Sequence, residues 1–528
     1  MRKKMHQNWK LKLLILCLAL CLSLLSSPTA IAVDGYGDVF AFGHNSSGTL
    51  GLGDTKDRFT PSKIEGVGPI VSFSASGLGR FSLIVNDKGE VYSFGSNFYG
   101  QLGHGDTKDR TTPARIKGLG AAKAVSAGSG HSLVLLDNGD VYSFGFRTHG
   151  QLGHNASTHT TNSPIPAKIE GLGPVQAVAA GHWHSLMLLE NGDVYSSGRN
   201  SNGELGLGQG VGTGTINFPV KIEGLGLIKA ISAGQYHSLV LTNTGEVYAF
   251  GENKQGQLGL GDTNNRFTPT RITGIGKAVA IAAGGYHSLV ILENGDVLSF
   301  GRNNHGQLGV NANRYDPTVT PTRVEGLGKA QAVSAGREHS LVLLENGDVY
   351  GFGRNNWGEL GWNPAAGRHP APAYNPIPNK IAGLGRAQAV SAGYNYSLVL
   401  VGIEREISVN INNKRLHTDV PPVIINGRTM VPLRAIFEAL DMEVEWIAET
   451  RTIVGTKGSS RIQLTVDSIQ STINGSNVTL DVPATVIEGR TLVPVRFIAE
   501  STGQQVGWDA RTRTVNITSV EPGDWFRN

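Results

Sequence analysis

Cysteine is almost absent from this sequence. The 528 residues include two, Cys17 and Cys21, and both lie in an apolar N-terminal stretch. If that stretch is a cleaved leader, the mature chain has no thiol, which excludes a disulfide framework, a cysteine nucleophile and thiolate metal ligands. The sequence also has no G-x-S-x-G elbow, H-E-x-x-H helix or P-loop. We therefore predict that the protein is not an enzyme and that it uses no cofactor and no metal.

The N-terminus has the pattern of a secretory signal. Residues 1–12 are basic and contain no acid, and the run Leu13 to Leu25 is nearly all apolar. Small residues, Ala30 and Ala32, flank Ile31 as an A-x-A cleavage site. We predict a signal peptide at residues 1–32, a secreted protein and no membrane span after cleavage. A retained membrane anchor is the alternative, although the apolar run is short for a span of about 20 residues.

Excess positive charge is confined to this leader. The chain has 46 Lys and Arg against 42 Asp and Glu, and five of the bases lie in residues 1–32, so that 41 bases oppose 42 acids in the remainder. A net charge near −1 gives no reason to expect a nucleic acid as partner.

Glycine is abundant, at 71 of 528 residues, about twice its usual share of roughly 7%. Much of it belongs to an internal repeat of the form G-D/E-V-x-x-x-G, whose closing glycines are 50 to 53 residues apart. The seven copies begin at Gly37, Gly89, Gly139, Gly192, Gly245, Gly295 and Gly347.

Each period predicts four short strands. A run such as His131 to Gly145 indicates strand, tight turn and strand, because Asn-Gly accepts the positive φ angles of a short hairpin. After it come an N-x-x-G-Q-L-G block and a polar loop with a proline, and the K-I-E-G-L-G and A-V-S-A-G segments are the two further strand candidates. Four strands in about 50 residues are typical of a propeller blade.

These G-D-V-Y-S-F-G, G-Q-L-G and A-G-x-x-H-S-L-V-L blocks resemble the repeats named for the regulator of chromosome condensation, over residues 34 to 401. The resemblance implies an all-β fold, a seven-bladed β-propeller, at residues 33–403. The first motif, Gly37 to Gly43, and the last run, Tyr396 to Val401, each lack a partner strand within their own period. We predict that they pair and close the ring, which removes two exposed edges.

A different repeat occupies residues 404–519, before a short tail at 520–528. Residues 420–434 match residues 482–496 at an offset of 62, and Trp446 and Trp508 keep that offset. Each half predicts strands and one helix, hence a small α+β module. It resembles the N-terminal domain of some copper amine oxidases, found in secreted proteins of Gram-positive bacteria. Its single histidine, His417, is too few for a copper site. The resemblance suggests a stalk or cell-wall attachment role, against a purely structural or dimerisation unit.

Recurrent polar positions invite a catalytic or metal-binding interpretation. Histidines stand at equivalent places in five periods, where Phe81 and Tyr396 replace them in the other two, and an acid is the second residue of every G-D/E-V motif. Positions a full blade apart cannot converge on one ion, and a catalytic group is normally singular. We predict structural histidines and acids that tie hairpins or neighbouring blades. The histidines are His131, His184, His237, His287 and His339.

Two sets of positions vary between constant neighbours: the pair before each recurrent histidine and the x-x of the N-x-x-G block. Aromatic residues and arginine recur there, as they do in protein-binding hot spots, although scattered surface residues without a partner would look the same. Propeller symmetry places equivalent loops on one face. The predicted partner-binding residues are Phe98, Tyr99, Trp183, Tyr236, Tyr286, Arg337, Trp357 and Tyr394.

The sequence therefore favours a secreted, monomeric recognition propeller that binds an extracellular protein or a cell-wall polymer, with a C-terminal module that places it in the envelope. Two alternatives remain, a wall-polysaccharide lectin and a nucleotide-exchange activity like that of the eukaryotic family member. The leader opposes the second of them, and fold resemblance alone assigns no ligand.

Overall fold

The protein is described here by a computed structural model. It covers residues 37–154, 162–211, 214–310, 315–362, 374–402, 407–487, 489–509 and 513–519. The chain forms two compact units, Met1–Ile403 and Glu404–Asn528. The predicted leader, residues 1–32, and the tail, residues 520–528, lie outside the described residues. Within the described ranges, no helix combines the length and the apolar character that crossing a membrane requires.

The first unit is the expected β-propeller. Its described residues form seven blades of four antiparallel strands, which we call inner, second, third and outer. The blades, each written from the inner to the outer strand, are as follows. Blade 1 is β3 (Ile70–Ala75), β4 (Phe81–Asn86), β5 (Val91–Gly95) and β6 (Arg110–Arg115). Blade 2 is β7 (Ala122–Ala127), β8 (His131–Leu136), β9 (Val141–Phe146) and β10 (Asn162–Lys168). Blade 3 is β11 (Val175–Ala180), β12 (His184–Leu189), β13 (Val194–Arg199) and β14 (Thr215–Lys221).

The remaining blades follow the same order, with a short 3-10 turn at Gln209–Val211 before β14. Blade 4 is β15 (Ile228–Ala233), β16 (His237–Thr242), β17 (Val247–Gly251) and β18 (Arg266–Arg271). Blade 5 is β19 (Ala278–Ala283), β20 (His287–Leu292), β21 (Val297–Gly301) and β22 (Thr318–Arg323). Blade 6 is β23 (Ala330–Ala335), β24 (His339–Leu344), β25 (Val349–Arg354) and β26 (Tyr374–Lys380). Blade 7 is β27 (Ala387–Ala392), β28 (Tyr396–Gly402), β1 (Gly37–Gly43) and β2 (Arg58–Lys63).

Ring closure is confirmed. Strand β1 from the start of the propeller pairs antiparallel with β28 from its end, in unbroken register from Gly37 opposite Gly402 to Gly43 opposite Tyr396. Blade 7 thus takes two strands from each end of the unit, and neither end is left as a free edge.

The expected outer strand was placed wrongly. The polar segment with a proline, predicted as a loop, is the outer strand, as in Arg58–Lys63, and the K-I-E-G-L-G segment is the turn that follows. The strand tolerates Pro61 because an outer strand is hydrogen-bonded on one side only, so that a missing N–H costs little. Its pairing with β1 is interrupted at this point by a register shift between Ala41 and Gly43.

The second unit is a β-rich module built from the two predicted repeats. Strands β32 (Arg428–Pro432) and β39 (Arg490–Pro494), one from each repeat, pair antiparallel with Val431 opposite Val493, two residues 62 positions apart. The two halves are therefore related by an approximate twofold axis through this pair. The strands are β29 (Ser408–Ile411), β30 (Lys414–Arg415), β31 (Val423–Ile425), β32 (Arg428–Pro432), β33 (Glu443–Ile447), β34 (Thr452–Lys457), β35 (Ser460–Thr465), β36 (Gln470–Ile473), β37 (Ser476–Thr479), β38 (Thr485–Ile487), β39 (Arg490–Pro494), β40 (Gln504–Asp509) and β41 (Thr514–Ser519), and the helices are α1 (Leu433–Ala439) and α2 (Val495–Ser501).

Candidate functional site

Two loops of every blade open at the same end of the propeller. Because successive strands run antiparallel, the loop from the inner to the second strand and the loop from the third to the outer strand share one end. The first loop carries the variable pair before each recurrent histidine, and the second carries the N-x-x-G block. Both sets of predicted positions thus lie on one face, which we call the upper face.

The axial channel at this face is narrow. It is lined by the serine, alanine and glycine residues at the ends of the inner strands, together with Leu78, and it encloses about 50 Å³. Hydrogen bonds join neighbouring inner strands around the channel. For example, the Ala283 N–H donates to Ser232 Oγ at 2.9 Å. A ligand at this end contacts the loops of the upper face that surround the channel.

The recurrent histidines are buried ties between neighbouring blades. In blade 4, His237 Nε2 lies 2.9 Å from Ser288 Oγ of blade 5. Burial lowers the pKa of all five histidines to about 3, so that they are neutral at pH 7. The equivalent pairs are His131–Ser185, His184–Ser238, His287–Ser340 and His339–Ser397.

Tyr396 takes the histidine position in blade 7 and links it to blade 1. Its hydroxyl accepts a hydrogen bond from the Ser76 N–H at 2.9 Å, lies 3.0 Å from Ser82 Oγ and donates to the Phe81 carbonyl. The side chain is fully buried, and burial raises the pKa of its hydroxyl. Tyr396 therefore joins blade 7, the blade in which the ring closes, to blade 1.

The repeated acids form ion pairs within their own blades. Each pairs with a base at the end of the outer strand, as Asp140 does with Lys168 at 2.9 Å. Such partly exposed pairs contribute about 0–1 kcal/mol each, and their sevenfold repetition marks them as structural. The others are Asp38–Lys63, Glu90–Arg115, Asp193–Lys221, Glu246–Arg271, Asp296–Arg323 and Asp348–Lys380.

Aromatic side chains form a continuous band over part of the upper face. The rings of Trp183 and Tyr236 are 6.1 Å apart between centroids, and those of Tyr236 and Tyr286 are 6.2 Å apart. His182 stacks on Trp183 at 3.9 Å, and His149 approaches the same indole at 4.6 Å. This aromatic arc crosses five consecutive blades and consists of Phe98, Tyr99, Phe146, His149, His182, Trp183, Tyr236 and Tyr286.

Arginines lie against these rings. The guanidinium of Arg199 is 5.0 Å from the Trp183 centroid and 5.1 Å from that of Tyr236, and Arg302 lies 5.7 Å from Tyr286. Cation–π contacts of this kind contribute about 0.5–2 kcal/mol according to their exposure. Arg199 and Arg302 directly follow the closing glycine of their G-D-V motifs, a position that the sequence analysis did not single out.

The part of the upper face outside the aromatic arc is charged, and we call it the charged rim. Arg337 lies 4.4 Å from the Tyr394 centroid and donates to its hydroxyl, and Arg80 approaches the same ring at 5.6 Å. Arg354 bonds Glu338 at 2.6 Å. Burial opposes ionisation of Glu338, but this hydrogen bond and the surrounding cations hold its pKa below the usual value.

The predicted residues fall into three groups. The aromatic arc contains five of them, namely Phe98 and Tyr99 at one end and then Trp183, Tyr236 and Tyr286. Phe98 is 70% exposed. The charged rim holds Arg337 and Tyr394. Trp357 lies apart from both, 36% exposed, with its ring 4.6 Å from that of His44. His149 and His182 occupy the variable positions but were not among the predicted partner-binding residues, and sequence reasoning missed Phe146, Arg199 and Arg302 as members of the same surface.

Constant glycines hold these loops in place. Gly251 ends β17 with φ at +109°, and a Cβ on it would lie 2.4 Å from the carbonyl oxygen of Tyr236. Any other residue would push the variable pair away from the third strand. The loop backbone is therefore fixed while its side chains are free to differ from blade to blade.

In the second unit, the predicted absence of a copper site stays a prediction. Within the residues that the structure describes, no three side chains of histidine, cysteine, aspartate or glutamate are grouped so as to hold a metal ion.

Sequence comparisons match both units to known families. The RCC1-like domain profile matches residues 158–405, regulator of chromosome condensation (RCC1) repeats match residues 36–78 and 88–135, and the copper amine oxidase N-terminal domain matches residues 410–517. Similar curated proteins include the ultraviolet-B receptor UVR8 of Arabidopsis thaliana, 35% identical over 51% of this chain and 62% of the receptor. The probable E3 ubiquitin-protein ligase HERC4 of Homo sapiens is 34% identical over 62% of this chain and 32% of the ligase. The chain thus spans less than two thirds of these relatives.

Solved structures agree on the fold. Yeast RCC1 (Prp20), in a structure with Kap60, is 24% identical with a TM-score of 0.62, over 71% of this chain and 91% of that one. Human WBSCR16 has the same identity and TM-score over 70% of this chain and all of that one. The protein carries an RCC1-repeat β-propeller followed by a copper amine oxidase N-terminal domain.

Proposed function

We propose that the chain is a secreted, non-catalytic binding protein whose propeller holds a partner protein on its upper face. The aromatic arc is the observation that carries this proposal. Tryptophan, tyrosine and arginine dominate protein-binding hot spots, because they bury a large area for few rotatable bonds. Here their rings already contact one another, so that little conformational entropy is lost on binding.

The binding partners of similar proteins support the proposal that the partner of this propeller is a protein. One yeast RCC1 (Prp20) structure holds Kap60, and another is described with its binding to Gsp1p and histones. A protein that contains this fold thus binds other proteins. The basic, then apolar, leader supports secretion, and the second unit supports placement in the cell envelope.

A non-catalytic role agrees with the site chemistry. The acids and histidines that recur in the propeller are used in ion pairs and blade-to-blade hydrogen bonds, and the axial channel is narrow. HERC4 is named as a ligase, but this chain covers 32% of its length.

Capture from native envelope extract tests the proposal. The mature chain, residues 33–528, is immobilised beside the variant W183A/Y236A/Y286A and the control Phe218→Ala, which removes a 53% exposed aromatic from outer strand β14. We expect a protease-sensitive partner that the wild type and the control retain and the triple variant loses. Retention by all three would contradict binding at the aromatic arc, and a protease-resistant, muramidase-sensitive ligand would identify a wall polymer instead.

A further inference from the structure

Two arginines from different blades lie against one tyrosine of the charged rim. Tyr394 belongs to blade 7, Arg337 to blade 6 and Arg80 to blade 1. The guanidinium of Arg337 is 4.4 Å and that of Arg80 is 5.6 Å from the centroid of the Tyr394 ring. Arg337 also donates to the Tyr394 hydroxyl, which leaves most of its five N–H donors for a ligand. We call Arg80 and Arg337 the arginine pair.

The arginine pair has no acid of its own. Among the residues that the structure describes, neither Arg80 nor Arg337 forms an ion pair. The acids of this part of the face contact Arg354 instead: Glu338 bonds it at 2.6 Å, and the buried Glu359 lies 3.8 Å from it. Like charges held at one ring repel each other, so that an anion supplied from outside stabilises the arrangement.

The backbone of Tyr394 has an unused donor. In blades 2 to 6, the first residue of the variable pair donates its N–H to a glycine carbonyl of the next blade, at 3.0 to 3.3 Å. Blade 1 makes this link through the Ser76 hydroxyl, which donates to the Gly128 carbonyl and accepts from the Gly79 N–H. In blade 7 the equivalent N–H, that of Tyr394, has no acceptor within the described part of the chain. The ring of links between blades is therefore open at the loop that holds the arginine pair.

The arginine pair continues the aromatic arc around the upper face. The arc ends in blade 5 at Tyr286, whose neighbour Gly285 packs on the loop of blade 6, since a Cβ on Gly285 would lie 2.4 Å from the Arg337 carbonyl oxygen. At its other end the arc begins with Phe98 of blade 1, the blade that also carries Arg80. Every blade thus contributes either to the arc or to the cationic site. A partner that covers the arc also meets the arginine pair.

We propose that the arginine pair binds an aspartate or glutamate side chain that the partner protein presents beside its apolar contact with the aromatic arc. This inference rests on the proposed function and specifies the chemistry of the partner on the same face. A guanidinium binds a carboxylate through two parallel hydrogen bonds, and complementary charges fix the register of an interface and accelerate association. A partner without the acid leaves two cations covered and unpaired, so that the pair also provides specificity.

A phage-displayed library of random 12-residue peptides tests the arginine pair without the native partner. Such a peptide spans about 40 Å when extended, enough to contact several blades. The mature chain is the bait, and the selected peptides are measured by fluorescence anisotropy. We expect aspartate and glutamate to be enriched at least threefold over the unselected library. Replacing the enriched acid with its amide should weaken binding at least tenfold, and so should the variant R80Q/R337Q. High salt should reduce both losses, because it screens the charges.

The variant R271Q/R323Q is the matched control. It removes two arginines, each 55% exposed, from the far ends of outer strands β18 and β22, and it should bind within twofold of the wild type. If R80Q/R337Q does not fold, Arg80→Gln alone removes an exposed side chain and should still weaken the peptides at least threefold. No enrichment of acids, unchanged binding by the folded variants, or at least tenfold tighter binding when phosphoserine replaces the acid would overturn the proposal.

The triple variant W183A/Y236A/Y286A separates this inference from the proposed function. Peptides that the triple variant weakens and R80Q/R337Q does not would support binding at the aromatic arc and refute the role of the arginine pair. Peptides with the opposite dependence would support the arginine pair and contradict binding at the arc. A library that yields no peptide would contradict both.

Discussion

The buried histidine ties make a quantitative prediction about acid stability. His237 is fully buried and bonds Ser288 Oγ at 2.9 Å, and its burial lowers its pKa from the ordinary 6.5 to about 3. A histidine whose folded-state pKa is lowered makes its full contribution to the stability of the fold above pH 6.5. That contribution is lost as the pH falls toward 3, because only the unfolded chain binds the proton in this range. At pH 5 the unfolded chain has bound the proton and the folded chain has not. One pKa unit corresponds to 1.36 kcal/mol, so that the wild type loses about 2 kcal/mol at this residue between pH 7.5 and 5.

His237→Gln removes this titration. We expect the variant to be less stable than the wild type by about 1–3 kcal/mol at pH 7.5, since a buried hydrogen bond is lost. That deficit should shrink by about 2 kcal/mol at pH 5, because the variant has no proton to exclude at this position. Urea unfolding of the propeller at the two pH values measures both numbers.

Ser288→Ala is the matched control. It removes the partner hydroxyl but leaves the imidazole buried, so that its deficit should be nearly the same at both pH values. A deficit of His237→Gln that stays constant, or grows at pH 5, would show that the histidine is protonated in the folded blade and would refute the account of these ties.

Three further predictions concern the propeller. Tyr396→Phe should lower the free energy of unfolding by about 1–3 kcal/mol in urea titrations, because three groups of blade 1 lose a buried partner; an unchanged midpoint would show that the hydroxyl does not fasten the ring. Deleting the closing strand β1, Gly37–Gly43, should lower the thermal midpoint and promote aggregation in light scattering, since β28 becomes an edge; a monomer with the wild-type midpoint would contradict this. Burial raises the pKa of Glu359 to about 7, from 4.5, and a group with a raised folded-state pKa loses stability as pH rises through that value. Glu359→Gln should therefore stabilise the fold by about 3 kcal/mol at pH 8 and by less than about 1 at pH 5, and an equal effect at both would mean that the carboxyl does not titrate there.

The sequence was sufficient for the blades because each has its own local signals. Alternating apolar residues and closing glycines repeat in every period, an Asn-Gly hairpin turn occurs in four of the seven, and the unpaired ends at Gly37 and Tyr396 indicated closure. The outer strand was missed because an edge strand buries little apolar surface and tolerates proline, so that Arg58–Lys63 has the composition of a loop.

The site was predictable only in part. Variable positions identified Trp183, Tyr236 and Tyr286. The contacts between these three rings depend on the distance between neighbouring blades, which the sequence of one period does not reveal. Arg199 could have been found, since it is a variable residue after a constant glycine. Leu78 could not, because the loop that carries it is two residues longer in blade 1 than in the other blades, and its place at the channel appears only in the closed ring.

The affinity of the captured partner for the triple variant W183A/Y236A/Y286A tests the central claim most directly. These rings are half-buried and contact one another on the upper face. By biolayer interferometry the triple variant should bind at least about 30-fold more weakly than the wild type, the equivalent of about 2 kcal/mol, the threshold of a hot spot. Phe218→Ala should bind like the wild type. A folded triple variant with wild-type affinity would show that the aromatic arc is not where the partner binds.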